Sequence, residues 1–252
     1  NGFIAIGREA LKALTSGGEN IAIGYQALLT HTTGDRNIVI GYQAMTNTDA
    51  GNHSNNSNDN IFIGRSSGGG AWADTSGGSN YNVGIGTKTF EGALEAVDGS
   101  VAIGYYALKA LTSGSGNVAV GYQSLDAITT QNSNTAVGTS AGGALTSANN
   151  VAIGNQALQT HSTGGNNIAI GNTAMYDTNQ SSATLGSVDN IFIGNASGSG
   201  TWTTAACNYN VAIGNNTMDA AMNGAEANTA IGYSAMSALT TGDNNICIGK
   251  DA

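Results

Sequence analysis

The chain contains no proline, two cysteines and three histidines in 252 residues, and charged residues make up only 9% of it. Cys207 and Cys247 are too few for a disulfide framework or a thiolate metal site. Seven lysines and arginines against sixteen acids leave a formal charge of -9. That balance argues against nucleic acid as a partner, because phosphate binding needs clustered cations. The acidic surplus instead keeps the particle soluble. No window of 18 apolar residues occurs, so no segment reads as a membrane-inserted helix. Aromatic residues are few, at 6%.

Glycine is plentiful, at 38 residues, and the 40% that is hydrophobic consists mostly of small residues. This composition would signal disorder if the apolar residues were scattered. They recur instead. An Asn-x-x-x-Gly unit closes at Gly7, Gly24, Gly41, Gly64, Gly86, Gly104, Gly121, Gly138, Gly154, Gly171, Gly194, Gly214, Gly232 and Gly249, giving fourteen units spaced 16 to 23 residues apart. The long spacings themselves repeat, since Trp72 matches Trp202, His31 matches His161 and Asn80-Tyr81-Asn82 matches Asn208-Tyr209-Asn210. A block of seven coils has been duplicated. The first block covers 1–137, with insertions at 46–59 and 65–79. The second covers 138–252, with insertions at 177–189 and 195–207, and is cut short at its end. The chain starts and stops inside a repeat, so one continuous rod forming part of a longer chain is expected.

Each unit reads as a strand of three residues, such as Ile21-Ala22-Ile23, bounded by Asn and Gly. Strands this short need copies of themselves to pair with. Stacked in parallel at about 4.8 Å per rung, fourteen coils predict roughly 65 Å of all-β parallel solenoid, a β-roll. Ile21 and Ile23 are expected to point into the coil, leaving Ala22 at a close contact with the far side of the coil or a neighbouring subunit. Ala10, Leu11 and Leu14 fall at helical spacing, which predicts one short helical turn per coil, with a second strand as the alternative. Thr-Thr-Gly and Thr-Ser-Gly corners follow. Asn20, Asn37, Asn60, Asn117, Asn150, Asn167, Asn190 and Asn245 are expected to stack as an amide ladder. Gly24, Gly41, Gly64, Gly121, Gly154, Gly171, Gly194 and Gly249 mark the matching glycine column.

The unit N-[IVT]-A-[IV]-G-x-x-[AS] resembles the head repeat of trimeric autotransporter adhesins. With Tyr-Gln-Ala-Leu and Thr-Thr-Gly appended, as over 20–37, it is similar to the long repeats of phage tail-fibre and related bacterial fibre proteins. The resemblance covers nearly the whole chain outside the insertions. It implies a homotrimer of parallel β-rolls, left-handed in the adhesin heads, on a virion or cell surface and in contact with a receptor or matrix. The coils here are longer than those of the adhesin head, so its subunit contacts do not transfer position by position, and the family has no catalytic residues to carry over.

Little in the chain suggests catalysis. His31 and His161 read as solvent-facing corner residues, and His53 lies in an insertion. Glu19, Asp35, Asp98 and Asp243 precede strands, where carboxylates cap backbone groups. Glu91 and Glu95 could form a glycosidase-like pair, but the second copy has Asp219 and Asn223. Asp49, Asp59, Asp177 and Asp189 could hold an opportunistic calcium ion, although no metal or cofactor is required. Ser67-Gly68-Gly69-Gly70 lacks the lysine and the context of a phosphate loop. Recognition is expected in the insertions, where loops sit on a rigid scaffold. Trp72 and Trp202, with Tyr81 and Tyr209, are the candidate glycan contacts; each indole either stacks on a sugar or folds back over a strand end or into a subunit boundary. Tyr25, Tyr42, Tyr105, Tyr122 and Tyr233 form a packing column. Sequons stand at Asn52, Asn55, Asn179, Asn195 and Asn215.

The sequence thus predicts a non-enzymatic extracellular fibre or adhesin segment. Its expected partners are its own copies, as homotrimer or filament, and a surface glycan or matrix receptor, with neither nucleic acid nor membrane insertion. The alternatives are an ice-binding solenoid that uses its threonine columns and a polysaccharide-degrading tailspike.

Overall fold

The computed structural model describes residues 2–48, 57–72, 77–178, 186–202 and 205–252. Asp49, Asn52, His53, Asn55 and Asn179 lie outside them. The chain divides into two compact units, residues 1–132 and 133–252. Unit 1 contains β1 (Ile4–Ile6), β2 (Ile21–Ile23), β3 (Ile38–Ile40), β4 (Ile61–Ile63), β5 (Val83–Ile85), β6 (Val101–Ile103) and β7 (Val118–Val120). Unit 2 contains β8 (Thr135–Val137), β9 (Val151–Ile153), β10 (Ile168–Ile170), β11 (Ile191–Ile193), β12 (Val211–Ile213), β13 (Thr229–Ile231) and β14 (Ile246–Ile248). Within each unit successive strands pair in parallel, with like positions in register: Ile21 lies opposite Ile38, and Ile168 opposite Ile191. Each unit is a parallel β-solenoid in which every coil contributes one rung.

The facing of the strands is the reverse of the sequence expectation. Ala22, Val39, Phe62, Ala102, Ala119, Ala152, Ala169 and Phe192 at the strand centres are fully buried, while the flanking isoleucines and valines are half-buried or exposed. The cause is volume. A coil of about 17 residues encloses a thin interior, which Ala22, Ala27 and Leu28 already fill, so the larger branched residues are left outside. Where the central residue grows to Phe62, space is made elsewhere. A Cβ added to Gly84 on the next rung would meet the Phe62 ring at 2.6 Å, and one on Gly68 would meet it at 2.9 Å. Trp72 and Phe90 complete that wider core, packed against Phe62 with ring centroids 5.7 and 5.6 Å away.

The helical turn after each glycine does not form, and no helix occurs among the described residues. Its place is taken by a chain segment in which φ turns positive at alternate residues, as at Gln26 (φ 55°) and Leu28 (φ 52°). Reversing φ every second residue breaks a helix. It also turns successive peptide groups toward neighbouring coils: the Gln26 N–H donates to the Arg8 carbonyl, and the Leu28 N–H to that of Ala44. These inter-coil bonds offset the left-handed conformations, which cost about 1–2 kcal/mol each for a residue with a side chain.

Candidate functional site

The corners that present the surface are fixed by an internal amide ladder. The ladder asparagines from Asn20 to Asn228 are buried, and from one Asn rung to the next the Oδ1 accepts from both the backbone N–H and the Nδ2 of its counterpart one coil on. In unit 1 this runs from Asn20 to Asn37, Asn60 and Asn82, at 2.9 to 3.2 Å. Each Nδ2 also donates to a corner carbonyl, for example from Asn60 to Ser79 at 2.8 Å. Ser100 supplies one hydroxyl rung, accepting from the Asn117 N–H at 3.1 Å. In unit 2 the ladder is all asparagine, from Asn134 and Asn150 through Asn167, Asn190, Asn210 and Asn228 to Asn245. The sequence reading missed Asn82, Asn134, Asn210 and Asn228, although each occupies the same place before its strand.

The glycine column fixes the other end of every strand. Gly41 and Gly171 have φ of 144° and 141°, and a Cβ on either would land on the carbonyl oxygen of the next rung's glycine. Only glycine fits there.

Four of the expected surface residues are internal. Trp72 and Trp202 are 1% exposed and pack on Phe62 and Phe192, so neither indole offers a face to a sugar. Bulk decides their placement, because the long coils need a large side chain to fill the widened core. His161 is fully buried rather than solvent-facing, and His31 is 1% exposed. The Asn167 Nδ2 lies 3.2 Å from His161 Nε2, and His161 Nδ1 lies 2.8 Å from Thr178 Oγ1. Burial lowers the imidazole pKa to about 4, with partial opposition from the backbone around Gly164 and Ser187.

Three features remain on the outside. The first is the strand face, with a half-buried aliphatic column at the first strand position and a second at the third, where Ile85, Ile103, Ile213 and Ile231 are 37–39% exposed. The second is the column after the glycines. In unit 1, Tyr25 stacks on Tyr42 and Tyr105 on Tyr122, with centroids 5.2 and 5.5 Å apart. Stacked rings cover each other's faces, so this column is packing in the main. Lys109 Nζ sits 4.3 Å over the Tyr106 ring, and the hydrogen bond between Tyr105 and Tyr106 holds the Tyr106 phenol below its ordinary pKa. The third is the pair Tyr81 and Tyr209, 64% and 58% exposed.

The charged and hydroxyl groups are largely engaged. Arg36 clasps Asp59 through two bonds of 2.6 and 2.9 Å, which hold the carboxyl below its usual range, and Lys88 pairs with Glu91. Thr15, Thr30, Thr112 and Thr146 donate their hydroxyls to carbonyls of the next coil. Among the described residues no three His, Cys, Asp or Glu side chains gather as a metal site, and no helix is long and apolar enough to cross a membrane. The sequons at Asn195 and Asn215 place their hydroxyl partners, Ser197 and Thr217, in the core, bonded to each other at 2.6 Å. Comparison with protein-family models, curated proteins and solved structures gives no match.

Proposed function

We propose that the chain is a non-catalytic structural segment of an extracellular fibre or adhesin, displayed on a virion or cell surface and assembled from copies of itself through the strand face. The outward aliphatic columns carry this reading. Seven rungs per unit, about 29 Å from first to last at ~4.8 Å per rung, put two parallel rows on one surface, all isoleucine and valine in unit 1 and broken only by Thr135 and Thr229 in unit 2. A contiguous apolar patch of a few hundred Å² is the size at which a surface marks an interface. Ile85, Ile103, Ile213 and Ile231 are 37–39% exposed and the other isoleucines of the inner rungs are half-buried, and covering one contributes on the order of 1 kcal/mol. The rows contain no charge, which suits a like surface in parallel register, and a homotrimer is the assembly the repeat's resemblance implies. The threonine columns support an ice-binding reading less well, since their hydroxyls are spent on carbonyls.

Sedimentation equilibrium tests this reading on the whole chain and on the triple variant Ile23→Ser/Ile40→Ser/Ile63→Ser. The expected result is a stable or concentration-dependent oligomer that the variant loses while keeping its far-ultraviolet circular dichroism. A wild-type chain that stays monomeric at every concentration contradicts it.

A further inference from the structure

The residue just before each ladder position adopts φ near +60° whatever its type, as at Glu19 (φ 59°), Arg36 (φ 59°), Asn149 (φ 62°), Asn166 (φ 61°) and Gly99 (φ 62°). Tyr81 and Tyr209 occupy the same position, each with φ 59°. A bulky residue pays about 1–2 kcal/mol there. Rings that remain 64% and 58% exposed recover little of that by packing. The Tyr81 and Tyr209 N–H groups bond to the Asn58 and Val188 carbonyls, as Arg36 and Ala227 do at their own corners, so the conformation belongs to the fold; what sets the pair apart is a large ring left exposed at the same corner of both units, with no core to fill.

The surroundings match in the two units. On the following rung the neighbour is small, Gly99 or Ala227, and a Cβ added at Gly99 would meet nothing within 4 Å, so the space beside Tyr81 is open. The residue before each tyrosine is an asparagine whose Nδ2 binds a carboxylate one coil on: Asn80 to Asp98 at 3.2 Å, and Asn208 to Glu226 at 3.0 Å. The preceding rung carries a second acid, Asp59 or Asp189. The arrangement is therefore an exposed ring, an open neighbour and an amide–carboxylate pair, with aspartate exchanged for glutamate between copies.

We propose that Tyr81 and Tyr209 each centre a subsite for a neutral hexose unit of a surface polysaccharide. The ring takes the apolar C–H face of the sugar. The remaining lone pairs of Asp98 or Glu226 accept from sugar hydroxyls. Asp98 or Glu226 repels uronates, sulfated sugars and phosphates, Asp59 being offset by its Arg36 partner. One aromatic contact and a few exposed hydrogen bonds limit each subsite to roughly millimolar affinity, and several copies in one assembly raise it by avidity. The inference does not depend on how the copies assemble.

Saturation-transfer NMR on the whole chain tests it, with methyl glycosides of glucose, galactose and mannose, methyl glucuronate and choline as probes. Tyr81→Asn/Tyr209→Asn is the matched variant, since asparagine already holds this corner at Asn149 and Asn166. The expected result is transfer from the protein to at least one neutral glycoside, lost in the double variant and reduced by about half in either single variant. Transfer to no neutral glycoside, transfer that survives the double variant, or transfer confined to glucuronate or choline would overturn it. Sedimentation of the same samples reports assembly separately, so the two readings fail independently.

Discussion

Along the column that follows the strand glycines, unit 1 carries Arg8, Tyr25, Tyr42, Arg65, Thr87, Tyr105 and Tyr122, whereas unit 2 carries Thr139, then Asn155, Asn172, Asn195 and Asn215, and ends on Tyr233 and Lys250. In unit 1 the rings stack, while in unit 2 the amides form an exposed ladder of their own, Asn155 to Asn172 and Asn172 to Asn195 at 3.1 Å each. The outer corner column differs too. In unit 1 it runs unbroken from Gly18 through Asp35, Asn58, Asn80, Asp98 and Ser115 to Asn132. In unit 2 Ala148, Gly165 and Val188 interrupt it, and bonds such as that from the Val188 N–H to Asn208 remain. The interiors have hardly moved. Trp on Phe, His on Thr and Ser on Thr recur at equivalent places. A thin coil fixes what fills it and leaves most of its exterior free to change. The exterior features that recur are the mainly aliphatic strand face, which takes in Thr135 and Thr229 in unit 2, and the two corner tyrosines, and these carry the proposed self-association and sugar binding.

If the interiors are equivalent, an interior lesion should cost the same in either unit. Gly41→Ala and Gly171→Ala each drive a Cβ into the next rung's carbonyl at a φ closed to alanine, and each is expected to cost more than about 4 kcal/mol by urea unfolding. A large effect in one unit and a small one in the other would break the comparison.

The buried imidazole gives a smaller effect that depends on pH. His161 titrates at about 4 in the folded chain and near 6.5 when unfolded, so between these values the unfolded state holds the extra proton. Stability therefore falls as pH drops from about 6.5 toward 4, by about 3 kcal/mol when complete. His161→Gln should remove that part of the slope in urea unfolding measured at pH 7 and pH 4.5. An unchanged slope would show that this histidine does not carry it.

The ladder offers the mildest and most discriminating change. Asn60→Ala strands the Asn82 N–H and Nδ2, and is expected to cost about 2–3 kcal/mol. Asn60→Ser should cost less than half of that, because Ser100 already serves as a rung. Equal losses from alanine and serine would mean that the ladder bonds contribute little.

The period, the strands and the parallel stacking were legible because they are set by local signals, with Asn before and Gly after three β-branched or small residues. The facing of the strands was not. The usual rule sends isoleucine inside, and it fails when the interior is too thin to hold two branched side chains per rung. A compensating pattern was present in the sequence all the same: where a strand centre becomes Phe62, glycine appears at Gly84 and Gly68, and Phe192 is followed by Gly198. Such volume exchange occurs only among residues that share a core. The two tryptophans fall under the same logic, since each sits in the coil whose strand carries phenylalanine. The helical turn was misread because Ala10, Leu11 and Leu14 have helical spacing, whereas Glu9 and Leu11 take left-handed φ values of 61° and 54° that go with inter-coil hydrogen bonds such as that from the Leu11 N–H to the Ala27 carbonyl.

Disulfide trapping tests most directly whether the outward strand face self-associates, as proposed. Cys207→Ser and Cys247→Ala clear the background, and both residues are native to equivalent positions, Ser79 for the first and the alanine of most strand centres for the second. In that chain Ile40→Cys places a thiol on the outer column and Val39→Cys places one in the core. Under mild oxidation Ile40→Cys is expected to give covalently linked copies and Val39→Cys none. Linked copies from Val39→Cys alone, or from neither variant, would contradict the account.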